Sequence, residues 1–320
     1  MSIFLRIILL SNLIFGHDLI DFYRENGIQN IEVEAERLLQ SKDYWKNRIK
    51  NIDTAFGYYE DLKEIIVVDK NHKNLNLYRM GEEEFELLFT EKVITGEKSG
   101  WKEYEGDRKT PIGVYKLNDK LKNVNQFYGP MAFVISYPNL YDKSLSRTGS
   151  GIWIHGMPMS GERENFTKGC VALSNHLLEN LNRKIENYRK ILLIIGEDKL
   201  PRVPKDDIAT ILSSLYQWLF SWEKGGFEKY ISFYSTNFRL DSNRDFFWFM
   251  SYKKRIFDKK EEKEIKIRDV NIAPYPNGED RNLFFVSFNQ SYTSKSLVSN
   301  IKKELYIEVF ENSIEILFEE

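Results

Sequence analysis

The sequence predicts an α+β, multidomain fold. Three observations carry that expectation. Helical spacing dominates residues 18–59, strand patterns fill residues 64–196, and beyond residue 200 helices come first and strands follow. The chain has 320 residues. A domain holds roughly 100–200 residues, so two domains plus a small extra element fit the length.

In chain order, the opening MSIFLRIILLSNLIFG places the single charge of Arg6 before an apolar run over residues 7–15, broken only by Ser11 and Asn12. A bilayer span needs about 20 apolar residues. The run is too short for that and fits a secretory signal peptide over residues 1–16, cleaved near Gly16. The alternative is a buried N-terminal helix. No later stretch predicts a membrane span in the mature chain. Residues 17–60 then form a helical N-terminal arm, with Ile31, Ala35, Leu38 and Leu39 on one face. So short an arm must pack on a neighbouring domain or a second subunit.

The pattern changes at Glu64. EIIVVD is a continuous apolar run and reads as a buried strand; KNHKN is a turn, and LNLYRM alternates, giving a hairpin. FELLFTEKVITG extends the strand pattern. After a Gly-rich charged segment punctuated by Pro111 and Gly113, further strands are expected at 114–117, 132–136, 152–155 and 191–195. Ser174 is an apt N-cap for a helix running through LLENLNRKIENY. Residues 61–199 are therefore mostly β, with one helix. LPRVPKDD, from Leu200, reads as a linker. In residues 205–320, Ile208, Ile211, Leu212, Leu215, Trp218, Leu219 and Trp222 mark a helix ended by Gly225 and Gly226. A second helix covers Phe227, Tyr230, Ile231 and Tyr234, and DFFWFMSYKKRIF a third. EIKIRDV, LFFVSFNQSY, KELYIEVF and SIEILF follow as an antiparallel sheet.

Composition excludes some functions. With 46 basic and 48 acidic side chains the net charge is −2, so nothing predicts a nucleic-acid partner. Four scattered histidines and one cysteine offer no zinc spacing, and phosphate-loop glycine patterns are absent, so no metal or cofactor is expected. An exported chain with a lone cysteine cannot pair it internally. Count alone leaves Cys170 either a small buried apolar residue or a reactive thiol.

The segment GIWIHGMPMSGERENFTKGCVALS gives that thiol a setting. His155 ends an expected strand and Cys170 follows fifteen residues later. Thiol chemistry needs a thiolate and an imidazole to hold its proton. The Gly156 carbonyl is placed to orient the imidazole, as the third member of a triad does. Gly169 permits an unusual backbone angle before Cys170 and so an oxyanion hole there, with Thr167 in support. Lys168 and Trp153 are the candidate substrate-binding residues. His176, six residues past Cys170 on the expected helix, points elsewhere.

In combination, His155-Gly156, a loop and then Thr167-Lys168-Gly169-Cys170 closely resemble the YkuD-type L,D-transpeptidase family. GDRKTPIGVYKL, from Gly106, resembles that family's strand-and-turn segment. The resemblance covers about residues 64–196. It implies that Cys170 is the nucleophile, His155 the general base and acid, and Gly156 the orienting carbonyl. Two positions depart from the common pattern. Lys168 stands where many members have His, and Ala172 where many have an Arg that holds substrate or the site loop.

The layout as a whole resembles the cell-shape-determining L,D-carboxypeptidases of helical bacteria. That resemblance implies a C-terminal NTF2-like α+β cone with an aromatic pocket, which Trp218, Trp222, Trp248 and Tyr252 fit. It also implies a homodimer through the N-terminal arm, a periplasmic location, and action on peptidoglycan tetrapeptide stems. Trimming to tripeptide is the expected reaction; 3-3 cross-linking, or wall binding without catalysis, are the alternatives.

Overall fold

Two sheets and an apolar layer shared between them organise the chain. The computed structural model describes residues 16–320 except Glu82, Glu162, Arg163, Ser242 and Asp280. Apart from Gly16, the expected signal segment lies outside the described residues. Three helices open the described chain: α1 (Gly16–Asn26), α2 (Ile28–Leu39) and α3 (Lys42–Arg48). Ser41 caps α3 by accepting from the Tyr44 N–H.

The arm does not stay helical to its end. Tyr58–Tyr59 form β1, which pairs with a strand of the distant C-terminal sheet. Gly57 makes this approach possible: with φ +114, a Cβ there would lie 2.0 Å from Ile272 O.

β2 (Glu64–Asp69), β3 (Asn74–Met80), β4 (Phe85–Lys92), β5 (Gly113–Leu121) and β6 (Ala132–Ile135) follow. Then come α4 (Leu140–Ser144), β7 (Trp153–His155), β8 (Val171–Ala172), α5 (Asn175–Lys184) and β9 (Ile191–Gly196). The eight strands form one sheet in the order β4-β3-β2-β9-β5-β6-β7-β8. The adjacent strands β2 and β9 are buried on both faces, which explains why they read as unbroken apolar runs. Ile66, Val68, Leu193 and Ile195 face the main core of this sheet. Ile65, Val67, Leu192 and Ile194 face the opposite way, into the layer shared with the C-terminal sheet.

α5 ends earlier than its apolar spacing predicts. Ile185 is extended, the Glu186 N–H donates to Glu64, and Asn187 caps a short 3-10 turn. The chain must turn there to enter β9, and that demand overrides local helix propensity.

The remainder comprises α6 (Lys205–Glu223), α7 (Phe227–Ile231), β10 (Arg239–Asp241), β11 (Arg244–Asp245), α8 (Phe246–Asp258), β12 (Lys263–Pro274), β13 (Leu283–Ser294), β14 (Val298–Val309) and β15 (Ile314–Glu319). The second sheet runs β1-β12-β13-β14-β15 and is antiparallel throughout. The apolar face of α6 is buried as its spacing predicts. The segment read as a linker is anchored: Val203 is buried, its carbonyl accepts from Thr54 Oγ1, and α6 starts by Lys205. Ala273, Tyr275, Phe285 and Tyr306 form the C-terminal side of the shared layer. The aromatic residues expected to line one pocket divide instead. Trp218 and Trp222 are buried in the core, whereas Trp248 and Tyr252 stack on each other on the exposed side of α8. Residues four apart on a helix lie on one face, and that face points to solvent.

A buried ionic cluster sits inside this C-terminal unit. Lys253 lies over the Trp222 ring, Lys303 Nζ is 3.4 Å from Glu319, and Tyr234 donates to Glu319. Burial pushes the Lys253 ammonium down to about 8, with Lys303 adding to the shift and Glu319 opposing it. In the unfolded chain it keeps its proton up to about 10.5. Between those values unfolding takes up a proton, so stability rises with pH; below about 8 both states are protonated and the contribution is flat and lowest. Lys253→Met leaves the Lys303–Glu319 pair intact. We expect it to be more stable than wild type at pH 7, by on the order of 3 kcal/mol. It should also lose the climb in stability above pH 8, as read by urea unfolding across that range. A variant that retains the climb would show that another group titrates.

Candidate active site

β7 ends in His155, and Cys170 immediately precedes β8. The two strands run parallel, with Ile154 opposite Val171 and His155 opposite Ala172. Strand side chains alternate between faces. Ile154 and Val171 therefore enter the main core, while His155 and Ala172 share the other face. Trp153 lies two residues before His155 on the same strand and shares its face. Ile94 holds the far edge of β8 by exchanging both backbone hydrogen bonds with Ala172.

His155 is fully buried, and its Nδ1 lies 2.6 Å from Gly156 O. A carbonyl only accepts, so Nδ1 carries the hydrogen and the tautomer is set. The peptide that supplies this carbonyl is held at both flanks. The Gly156 N–H donates to Tyr128 O at 2.9 Å, and the Met157 N–H donates to Asn175 Oδ1 at 2.8 Å. Glycine at 156 leaves room for this contact, because a Cβ would lie 2.3 Å from Asn175 Oδ1 and displace it. The Tyr128 ring meets both His155 and Trp153 edge-on, at 5.0 Å between centroids.

Cys170 is half-buried, and its Sγ donates to Gly151 O at 3.6 Å. Its own carbonyl is gripped by two hydroxyls, Thr167 Oγ1 at 2.7 Å and Thr110 Oγ1 at 3.4 Å. Thr167 is buried, and its Oγ1 also accepts from the Gly169 N–H at 3.0 Å. Gly169 has φ +135, and a Cβ there would meet Lys109 O at 2.9 Å, so only glycine fits. The Gly169 N–H is thus committed to Thr167, and Gly169 serves the site through its backbone angle, not as a donor. Lys168 is exposed and forms no ion pair among the described residues. Trp153 is half-buried beside Tyr128.

The loop over residues 97–110 braces the same wall. Burial would raise the Asp107 carboxyl. The Lys102 ammonium at 2.8 Å and the backbone N–H groups of Glu103 and Lys109 more than offset this and hold it below the usual range. His72 and His176 stay outside the site. His72 pairs with Asp69 in an exposed turn, and exposed His176 meets Ser174 Oγ. Among the described residues no group of three or more His, Cys, Asp or Glu is placed to hold a metal. Sequence reasoning missed Tyr128, Thr110 and Asn175. The turn at Gly129-Pro130 and the Asn that follows the Ser174 cap were the available signals.

Residues 63–193 match the family model of the L,D-transpeptidase catalytic domain, YkuD, and residues 210–320 that of the Cds6 C-terminal NTF2-like domain. The helical cell shape determining protein Pgp2 from Campylobacter jejuni is 37% identical, with a TM-score of 0.82 over 88% of this chain and 99% of that one. The chain belongs to the YkuD-type L,D-transpeptidase family, in its two-domain form with an NTF2-like C-terminal domain. That membership gives it a peptidoglycan-related role and an extracytoplasmic place of action. A mutant form of Pgp2 is similar at 36% identity and a TM-score of 0.84, with the same coverage. Bd1075 of Bdellovibrio bacteriovorus is 27% identical, with a TM-score of 0.65 over 84% of this chain and 95% of that one. A search of curated proteins gives no match. Among the described residues no helix is long and apolar enough to cross a membrane.

In the L,D-transpeptidase-type domain the Thr167 hydroxyl closes the turn before Cys170 by bonding both the Gly169 N–H and the Cys170 carbonyl. Thr167→Val leaves the Gly169 N–H and one lone pair of the Cys170 carbonyl unmet, at a cost of about 1–3 kcal/mol. Thr167→Ser keeps both bonds. Thermal unfolding should place the Ser variant near wild type and the Val variant well below it. Equal melting of both would remove Thr167 from this role.

Proposed function

We propose that the chain is a periplasmic L,D-carboxypeptidase that removes the terminal D-alanine from peptidoglycan tetrapeptide stems and so influences cell shape. The observation that carries this reading is the His155 Nδ1–Gly156 O hydrogen bond at the end of the strand that pairs with β8, the strand Cys170 immediately precedes. With Nδ1 donating to a carbonyl, Nε2 is the nitrogen left to exchange a proton with the thiol. The similarity to Pgp2, a helical cell shape determining protein, supports the cell-shape part of the reading.

In the proposed reaction His155 Nε2 takes the Cys170 proton. The thiolate then attacks the carbonyl carbon at the L centre of the stem's diamino acid. The C–S bond forms as the carbonyl electrons move onto oxygen. The Cys170 backbone N–H is the proposed donor to that oxyanion, since Gly169 is committed to Thr167. Collapse breaks the C–N bond, and the amine of D-alanine leaves with the proton from His155. Water, deprotonated by His155, then attacks the thioester, releasing the tripeptide and returning the proton to the thiol.

Hydrolysis is favoured over cross-linking by Ala172. It is fully buried between Ile94 and His155, and it offers no cation where the resemblance commonly has Arg. Trp153, on the strand that ends in His155, is one proposed substrate contact, and exposed Lys168 is a second. The arm is the proposed homodimer contact, supported by the exposure of Ile20, Tyr23, Ile28 and Val33 on α1 and α2.

Incubation of the full chain with a disaccharide-tetrapeptide, followed by mass spectrometry, tests the reaction. Loss of one alanine is expected. A joined product would replace the carboxypeptidase with a transpeptidase, and binding without product would make the protein a wall-binding module. His155→Ala should slow alanine release by about 10²–10⁴. Cys170→Ala should abolish it, and full activity in that variant would overturn the nucleophile.

A further inference from the structure

We propose that Asn175 is a positioning residue for the thiol–imidazole pair and acts through a single peptide group. The inference rests on the Cys170–His155 reading and adds a residue to it. The peptide bond between Gly156 and Met157 has two polar ends. Its carbonyl accepts from His155 Nδ1 at 2.6 Å, and its N–H donates to Asn175 Oδ1 at 2.8 Å. The atom facing an N–H must be an acceptor, so the orientation of the Asn175 amide is fixed by chemistry. Its Nδ2 turns the other way, to Met159 Sδ at 3.6 Å.

The result is an unbroken hydrogen-bonded chain from Asn175 through the peptide to His155. Hydrogen bonds in such a chain polarise one another. An acceptor at the N–H end makes the carbonyl a better acceptor at the other end. That favours the protonated imidazole, and with it the thiolate. A carboxylate performs this service in the familiar triad; here a neutral amide does so at one peptide's remove.

Packing shows that the arrangement is built around Asn175. A Cβ at Gly156 would lie 2.3 Å from its Oδ1, and a Cβ at Gly129 would lie 2.5 Å from the same atom. Two glycines thus clear the space in which one side chain reaches one peptide. Asn175 is also the first residue of α5, whose Leu178 and Leu181 are fully buried, so its backbone is held by the core. The rest of the α5 start does not share this role: Ser174 makes no side-chain cap bond, and His176 is exposed.

Cys170 is the chain's one cysteine, so its alkylation by iodoacetamide reports thiolate content without any substrate. The experiment measures the alkylation rate of the full chain against pH, from about 5 to 9, for wild type, Asn175→Ala, Asn175→Asp and His155→Ala, with thermal unfolding alongside. Asn175→Ala should slow alkylation near pH 6–7 about fivefold, the effect of one lost hydrogen bond between neutral groups, by moving the thiol limb upward. Asn175→Asp restores an acceptor and adds negative charge, so its rate should equal or exceed that of wild type. A purely structural role would lower the melting temperature of Asn175→Ala and leave the profile in place. That profile overturns the proposal, as does an Asp variant slower than wild type; the Asp arm decides the matter if the Ala variant does not fold. If His155→Ala alkylates as wild type does, the thiol–imidazole reading falls and the relay with it. If His155→Ala is slow while Asn175→Ala is unchanged, the relay alone falls.

Discussion

The 2.6 Å hydrogen bond from His155 Nδ1 to the carbonyl of the next residue sets the terms for the rest of the structure. A side chain that bonds to its own following peptide needs that peptide turned toward it and kept there. Here the turn is enforced from outside. Tyr128 O takes the Gly156 N–H, and Asn175 takes the Met157 N–H. Gly129 lets the loop that carries Tyr128 approach, since a Cβ on it would sit 2.8 Å from the Gly156 Cα. Remove any of these and the imidazole loses its reference. The proposed chemistry needs one defined ring nitrogen facing the thiol, so the constraint and the reactivity have the same origin.

The cysteine is held by a different device. Its carbonyl, not its side chain, is what the fold grips, through Thr167 and Thr110. Thr110 in turn accepts from the Gly96 N–H, tying the turn to the segment that covers the outer edge of β8. Fixing the backbone and leaving the sulfur half-buried, against the Gly151 carbonyl, suits a group proposed to form and break a bond.

The C-terminal domain reaches this wall through polar contacts beneath the shared apolar layer. Tyr275 OH accepts from Asn139 Nδ2, Asn139 and Asp142 form a capping box, and buried Asp142 pairs with Arg147. Arg147 stacks on Trp101, and the one Tyr137 O–H is shared between the carbonyls of Thr148 at 3.1 Å and Lys102 at 3.3 Å. The loops over residues 97–110 and 145–151, which flank Cys170, therefore rest on a chain of contacts that begins in the C-terminal sheet. Burial raises the Asp142 carboxyl and the paired Arg147 opposes the shift, so this charge depends on its partner staying in place.

By itself the sequence determined what periodicity and composition encode. The α6 stripe of Ile208, Leu212, Leu215 and Trp222 was legible because a 3.6-residue repeat is a local property. The strands at EIIVVD and ILLIIG were legible because burial on both faces leaves an unbroken apolar run. His155-Gly156 and Gly169-Cys170 were legible as a pair because the motif around them is specific in combination. Tertiary structure decided the rest, since the deciding contacts join residues far apart in the chain. It ended α5 at Lys184 so that the chain could enter β9, and it drew Tyr58–Tyr59 out of the helical arm to pair with β12. It parted Trp248 and Tyr252 from the buried tryptophans. It also brought Tyr128 and Asn175 to the N–H groups of two successive peptides beside His155, which no spacing rule records because neither residue is near His155 in sequence.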